Sequence, residues 1–272
     1  MIETNYMGLL SKVMNEGIEE LNQRTGIRTA RLLGAVVDLD RSMGIFSPRK
    51  MSVRIAAAEC AWMLSGDKST TWLNRHTSIW KKFEDETSPG VISTAYGFRW
   101  RYAFRRNQIQ EAIDLLKKDP STRQALVMSW DPYIDGLMNQ GKSKNVPCPF
   151  AFSLYVKDGH GHAVVYQRSA DVVIGIPYDL MVYYLVSQAI FNSAQYSFWG
   201  LRIMIGDAHV YANQYDVARR MMAAKSSSHP HYFRHSWTVA DIVEAPDEFV
   251  SNFAGVYKGI EWPVTDKLEA AQ

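Results

Sequence analysis

The chain has 272 residues, a formal net charge of +2, 47% hydrophobic residues and 21% charged residues. That balance excludes a disordered chain and gives no field of the kind that holds duplex nucleic acid, so no nucleic-acid partner is expected; it fits one domain spanning 1–272 with a large core. Two cysteines, Cys60 and Cys148, make no disulfide framework, the start lacks a basic-then-apolar leader, and the longest apolar stretch (178–191) is too short and broken to span a bilayer, which together predict a reduced, cytoplasmic protein, in the host cytoplasm if the gene is viral, with no membrane partner.

In chain order, residues 5–21 read as an amphipathic helix. Residues 22–40 begin as a basic, turn-like loop and become a strand. MSVRIAAAECAWMLSG (51–66) has helical spacing, is apolar almost all round and stops at a glycine, so a buried helix is expected. A second helix over 107–118 ends at Asp119-Pro120, and ALVMSW (125–130) reads as a strand. Residues 151–169 read as two strands joined by an Asp-Gly turn. Another buried helix is expected over 179–194, and a strand over 201–211 that runs into a helix at 212–222. Strands and helices mix without βαβ regularity, which predicts an α+β fold with buried helices on a mixed or antiparallel sheet.

Several residues carry possible chemistry. Cys148 lies between two prolines in NVPCPF. A free cysteine is usually a small buried hydrophobe, and a reactive one needs a cation nearby. Arg168 on the neighbouring strand of the expected hairpin is a candidate for that cation. QRSAD (167–171) sets Arg168, Ser169 and Asp171 at a strand end, as a phosphate grip or a solvated edge. Glu59 interrupts an apolar helix, where burial raises a carboxyl's pKa and suits it to acid–base work. His209 and Tyr211 in GDAHVY share one face of a strand and suit a sugar hydroxyl. HPHYFRH (229–235) lacks ligands at metal spacing and reads as a solvated loop, so no metal is expected. Arg105-Arg106 reads as a solvated helix start or the rim of a basic pocket.

These segments, in order, resemble thymidylate synthase and its pyrimidine-hydroxymethylase relatives: RTG at 24–26, the helix with Glu59, SIW at 78–80, AYGFRW at 95–100, DPSTR at 119–123, PC at 147–148, QRSAD through Gly175, and GDAHVY at 206–211. The resemblance implies an α+β thymidylate synthase-like fold, an obligate homodimer with sheets packed face to face, and a reaction between a pyrimidine nucleotide and 5,10-methylenetetrahydrofolate. It implies Cys148 as the nucleophile at pyrimidine carbon 6, with Glu59, Arg168, Asp179 and Tyr96 (in AYGFRW) as its catalytic companions. Arg24, Ser169 and Arg168 would hold phosphate, with Arg123 reaching in from the partner subunit. Gln167 would bind the substrate, Asp179 would face the base, and His209 and Tyr211 the sugar 3′-hydroxyl. Asp171, Trp80, Ile174 and Gly175 would contact the folate.

The chain departs from the synthase pattern in three places. Pro149 stands where synthases carry histidine, Gln124 replaces a second arginine, and Pro177-Tyr178-Asp179 replaces Pro-Phe-Asn. The last change concerns the base. An Asn amide matches uracil's N–H and carbonyl, whereas an Asp accepts from cytosine's amino group and, protonated, donates to its ring nitrogen. In this the chain is similar to phage deoxycytidylate hydroxymethylases, which implies 5-hydroxymethylation of dCMP. A dCMP methyltransferase, a CMP-specific hydroxymethylase, a dUMP-utilising synthase and an inactive nucleotide-binding relative remain open alternatives.

Overall fold

The computed structural model describes residues 5–40, 47–138, 145–224, 234–256 and 262–265. In chain order the named elements are α1 (Tyr6–Glu16), β1 (Ile18–Asn22), β2 (Ile27–Asp40), α2 (Val53–Ser65), α3 (Tyr96–Phe98), α4 (Gln108–Lys118), β3 (Leu126–Met128), β4 (Pro149–Lys157), β5 (His160–Gln167), β6 (Ala170–Asp171), α5 (Gly175–Ser193), β7 (Ser197–Tyr211), α6 (Tyr215–Ala223), α7 (Val239–Glu244) and α8 (Pro246–Asn252). The expected α+β class holds. The six longer strands form one sheet in the order β1-β2-β7-β5-β4-β3, and β6 adds to β7.

Period-two alternation decides the two faces of that sheet. Val37, Leu39, Phe152, Leu154, Val165, Ile203 and Ile205 point inward and are buried. Against them lie α2 and α5, both apolar on nearly every side. A helix without a polar face is stable only when surrounded, so these two occupy the centre of the protein. The opposite face is different. Val36, Met128, Val164, Tyr166 and Met204 are half-buried there, and Leu126 is exposed.

Three expectations need correction. The helix expected over 5–21 ends at Glu16, because Gly17 leaves the helical region and the next five residues become β1. A Cβ at Gly17 would lie 2.3 Å from the Val13 carbonyl oxygen, so the sharp turn needs glycine. The helix expected from Asp179 starts four residues earlier, at Gly175, with Pro177 tolerated in its first turn. Asp179 therefore lies one turn inside a buried helix. The fold also contains one βαβ crossover, since α5 joins β5 to the parallel β7.

The other expected helices and strands hold within a few residues. Asp158 and Gly159 join β4 to β5 with φ of 52° and 76°, the left-handed pair that a tight hairpin turn requires. Gly66 caps α2 in the left-handed conformation. Arg106 is exposed and bonds Glu111, so it belongs to the surface. Residues 229–233 of HPHYFRH lie outside the described residues. His235 is half-buried rather than solvated: its ring faces the Leu185 carbonyl and packs edge-on against Phe249, and this burial drives its pKa down to about 4.

Candidate active site

The site forms where β5 ends, α5 begins and the loop before β4 crosses them. The Arg168 backbone N–H donates to the Cys148 carbonyl at 2.9 Å, which fixes the register that sequence alone left open. Cys148 is thereby held beside the Arg168 guanidinium, with Nη2 3.6 Å from Sγ. That guanidinium is itself fixed, since Nε donates to the Pro147 carbonyl at 2.9 Å and Nη2 to the Val146 carbonyl at 3.2 Å. Burial raises the Cys148 thiol pKa, and the charges of Arg168 and Arg24 oppose that rise. A cysteine in this setting is neither an inert core residue nor a free thiolate; its ionisation depends on neighbouring cations.

Tyr96 stands on the other side of Cys148, whose amide N–H donates to the phenol oxygen at 3.3 Å. Close packing sets Tyr96 there. A Cβ on Gly97 would lie 1.9 Å from the Met63 carbonyl oxygen, so the helical turn of 96–98 rests directly on the backbone of α2. Trp80 packs between Trp62, Phe83 and Tyr96, with ring centroids 5.2, 5.5 and 5.9 Å away.

Three carboxyl groups meet at this place. Glu59 on α2 is pushed up to about 8 by burial, and the charge of Asp179 adds to the rise. The Trp80 indole N–H faces Glu59 and lowers its pKa in part, although it closes no hydrogen bond of full geometry. Asp179 is pushed up to about 6, chiefly by burial, with a hydrogen bond from Gln167 opposing. Gln167 Nε2 donates to Asp179 Oδ2 at 2.9 Å, and the buried Gln167 Oε1 has no partner among the described residues. Asp171 is committed locally. Its Oδ1 accepts from the amides of Val173 and Ile174 at 2.9 and 2.8 Å, and its Oδ2 accepts from Gln214 Nε2 at 2.8 Å. Gly175 lies between the last two carboxylates; a Cβ there would sit 3.8 Å from Asp179 Oδ2 and 3.9 Å from Asp171 Cβ.

The remaining expected residues sit around this centre. His209 and Tyr211 do share a face of β7, their rings edge-on with centroids 5.1 Å apart. The Arg24 charge reaches both Tyr211 and Cys148. Ser169 is half-buried on the link from β5 to β6. Arg123 is not brought to the centre: it is exposed on the loop before β3, with no hydrogen bond or ion pair to the others among the described residues. The sequence also failed to single out Arg49, which is 7% exposed. Its Nη2 donates to the Ile174 carbonyl at 3.4 Å, and its guanidinium lies 5.8 Å from the Tyr178 ring centroid. The basic Arg49-Lys50 pair just ahead of a helix was the available signal. Gln214 gave none, because its role depends on the chain returning to Asp171.

A thiol between a cation and a phenol, with two carboxyl groups nearby whose pKa values burial raises, suits covalent addition to an electron-poor ring. A family model described as thymidylate synthase matches residues 4–248. Among curated proteins, a thymidylate synthase of Corynebacterium aurimucosum is 31% identical over 243 residues, covering 86% of this chain and 88% of its own length.

Proposed function

Given that this chain belongs to the thymidylate synthase family, and is thus a one-carbon transferase that uses methylenetetrahydrofolate on a pyrimidine nucleotide, we propose that its reaction is 5-hydroxymethylation of dCMP. The observation that carries this reading is Asp179. A carboxyl group, not an amide, lies near Cys148 where this reading puts the base, and burial raises its pKa to about 6. Such a group accepts from cytosine's amino group and, protonated, donates to its ring nitrogen. Uracil offers the reverse pattern and would leave buried polar groups unpaired.

The residue roles follow the chemistry. Cys148 Sγ adds to carbon 6 and leaves carbon 5 electron-rich, while Asp179 stabilises charge that develops on the ring. Arg168 keeps the thiol ionisable and, with Arg24, Ser169 and Arg123 of a second copy of the chain, neutralises the phosphate. Glu59 is suited to moving the proton at carbon 5 and orienting water there, because burial leaves it near pH 8. Cys148 leaves carbon 6 at the end of the cycle.

The site fits the folate as well. Trp80 Nε1, which faces Glu59, and Arg49 Nε, beside Ile174, are buried donors with hydrogen-bonding capacity left over. Trp80, Ile174, Gly175 and Asp171 would hold the pterin side. The folate supplies the one-carbon unit and, in a methylating enzyme, also the hydride. A homodimer is supported by the half-buried apolar face of the sheet around Val164, Tyr166 and Met204. It would seat this face against its copy and bring each Arg123 to the other's site.

The second reading is a thymidylate synthase acting on dUMP, favoured by the printed name of the relative from Corynebacterium aurimucosum. Incubation with methylenetetrahydrofolate and dCMP, CMP or dUMP in parallel, followed by product mass, separates them. The proposal expects a hydroxymethyl gain on dCMP without dihydrofolate. A methyl gain on dUMP with dihydrofolate, and no comparable turnover of dCMP, refutes it.

A further inference from the structure

A line of alternating charge runs across the sheet into the site. In strand register Arg31 on β2 sits opposite Ile18 of β1 and His209 of β7. Glu20 and Asp207 are its diagonal neighbours on the two sides, so all three charged groups and His209 share one face. Arg31 Nη1 pairs with Glu20, whereas Nε and Nη2 both donate to the same oxygen of Asp207, Oδ2, the Nε bond being 2.9 Å. Asp207 Oδ1 is buried and closes no hydrogen bond of full geometry. It faces His209 Nδ1 at 3.4 Å, and the Asp207 backbone carbonyl faces the same nitrogen at 3.4 Å.

Two acceptors turned on one ring nitrogen require that nitrogen to carry the proton, which leaves Nε2 as the acceptor of the neutral ring. Burial pushes the Asp207 carboxyl up, but hydrogen bonds from His209 and Arg31 outweigh it and hold the group at about 2, so Asp207 stays ionised throughout the neutral range. Arg31 is only partly buried, and its side-chain bonds among the described residues go to Glu20 and Asp207.

We propose that Arg31 is a positioning residue for the nucleotide sugar: it clamps Asp207 Oδ2, turns Oδ1 to His209 Nδ1, and so presents His209 Nε2 to the 3′-hydroxyl. This rests on the reading that His209 contacts that hydroxyl, and it is independent of which base is bound. Without Arg31, Asp207 can rotate toward water, and His209 Nδ1 keeps only the Asp207 backbone carbonyl, so the ring is held less firmly in place.

The test compares affinity for dCMP with affinity for 2′,3′-dideoxy-CMP, which lacks the 3′-hydroxyl (the uridine pair serves equally). In the unaltered protein dCMP should bind roughly tenfold more tightly. Arg31→Met should cut that preference to about one third or less while leaving dideoxy-CMP affinity within about twofold, and Arg31→Lys should restore part of it. Asp207→Asn, which keeps volume, should act like Arg31→Met and stands in for it if the methionine variant does not fold. A merely structural role for Arg31 would weaken both nucleotides equally and would overturn the proposal. So would an unchanged preference in Arg31→Met and Asp207→Asn when His209→Ala abolishes it. If His209→Ala itself leaves the preference intact, the sugar contact is wrong, and the proposal falls with it for a different, recognisable reason.

Discussion

Gln167 donates its side-chain amide to Asp179, Nε2 to Oδ2 at 2.9 Å, across the junction of β5 and α5. With that oxygen already occupied by a donor, a proton on Asp179 belongs on Oδ1. The same bond keeps the carboxyl from rotating, so the pair presents one defined face to the base. Asp179→Asn replaces an acid that can donate or accept with an amide of uracil's complement. Measured kcat/KM for dCMP should fall by at least about a hundredfold, and that for dUMP should rise. An unchanged ratio of the two would remove Asp179 from base selection.

The protonation of Asp179 gives a signed pH dependence. Its folded pKa is raised to about 6, so the proton is present below pH 6 and lost above it. In a Cys148→Ser background, which removes the thiol's own titration, dCMP affinity should weaken as pH rises through about 6. Asp179→Asn in the same background should abolish that part of the profile and keep whatever the phosphate contributes. Titration calorimetry between pH 5 and about 8 measures both. Parallel profiles for the two proteins would show that Asp179 does not act through its proton.

Glu59 links the same site to stability. Its folded pKa, about 8, lies above the ordinary 4.5, so the folded state binds the extra proton. The associated stability is complete below 4.5 and is lost as pH rises through 8. Glu59→Gln should therefore gain unfolding free energy in urea relative to the parent as pH increases, by on the order of 4–5 kcal/mol across that window, while losing turnover. Equal midpoints for both proteins at pH 5 and pH 9 would contradict the buried-acid assignment.

Arg168 and Cys148 form a couple testable without substrate. Arg168→Ala removes a cation that opposes the burial-driven rise of the thiol pKa. Alkylation of Cys148 by iodoacetamide at pH 7.5 should slow by about tenfold, with the rate profile displaced to higher pH. Cys60, buried in α2 with its pKa raised by burial alone, should stay unmodified in the folded protein and serves as the internal control.

Packing behind the site is equally exacting. Gly97→Ala would set a Cβ 1.9 Å from the Met63 carbonyl oxygen, a contact only a backbone shift relieves. We expect a loss of more than about 2 kcal/mol in urea unfolding and a displaced Tyr96, lowering kcat further than thermal stability alone predicts. A variant with unchanged midpoint and kcat would mean that α3 can move away from α2 freely.

Much of this protein was legible as sequence. The Asp158-Gly159 turn, the all-round apolar α2 and α5, and the Gly66 stop are local or periodic signals, and the structure keeps them. Cys148, Glu59, Arg168 and Asp179 stood out because each is chemically odd for its local setting, and the fold gathers all four. What local pattern could not supply was register and distance. The helix of 5–21 ends at Gly17, where the chain turns out of the helix against the Val13 carbonyl and close to the backbone of Arg31, an approach that periodicity does not reveal. Arg31 looked like one more polar letter in a strand; only the pairing of β2 with β7 sets it against Asp207 and His209. Gln167 meets Asp179 only because β5 ends where α5 starts. The sequence by itself determined which residues are unusual and which faces are apolar, since composition and periodicity are local. The tertiary structure alone decided which of those residues share a proton, a charge or a hydrogen bond, because those energies depend on separations of a few ångströms between segments far apart in the chain.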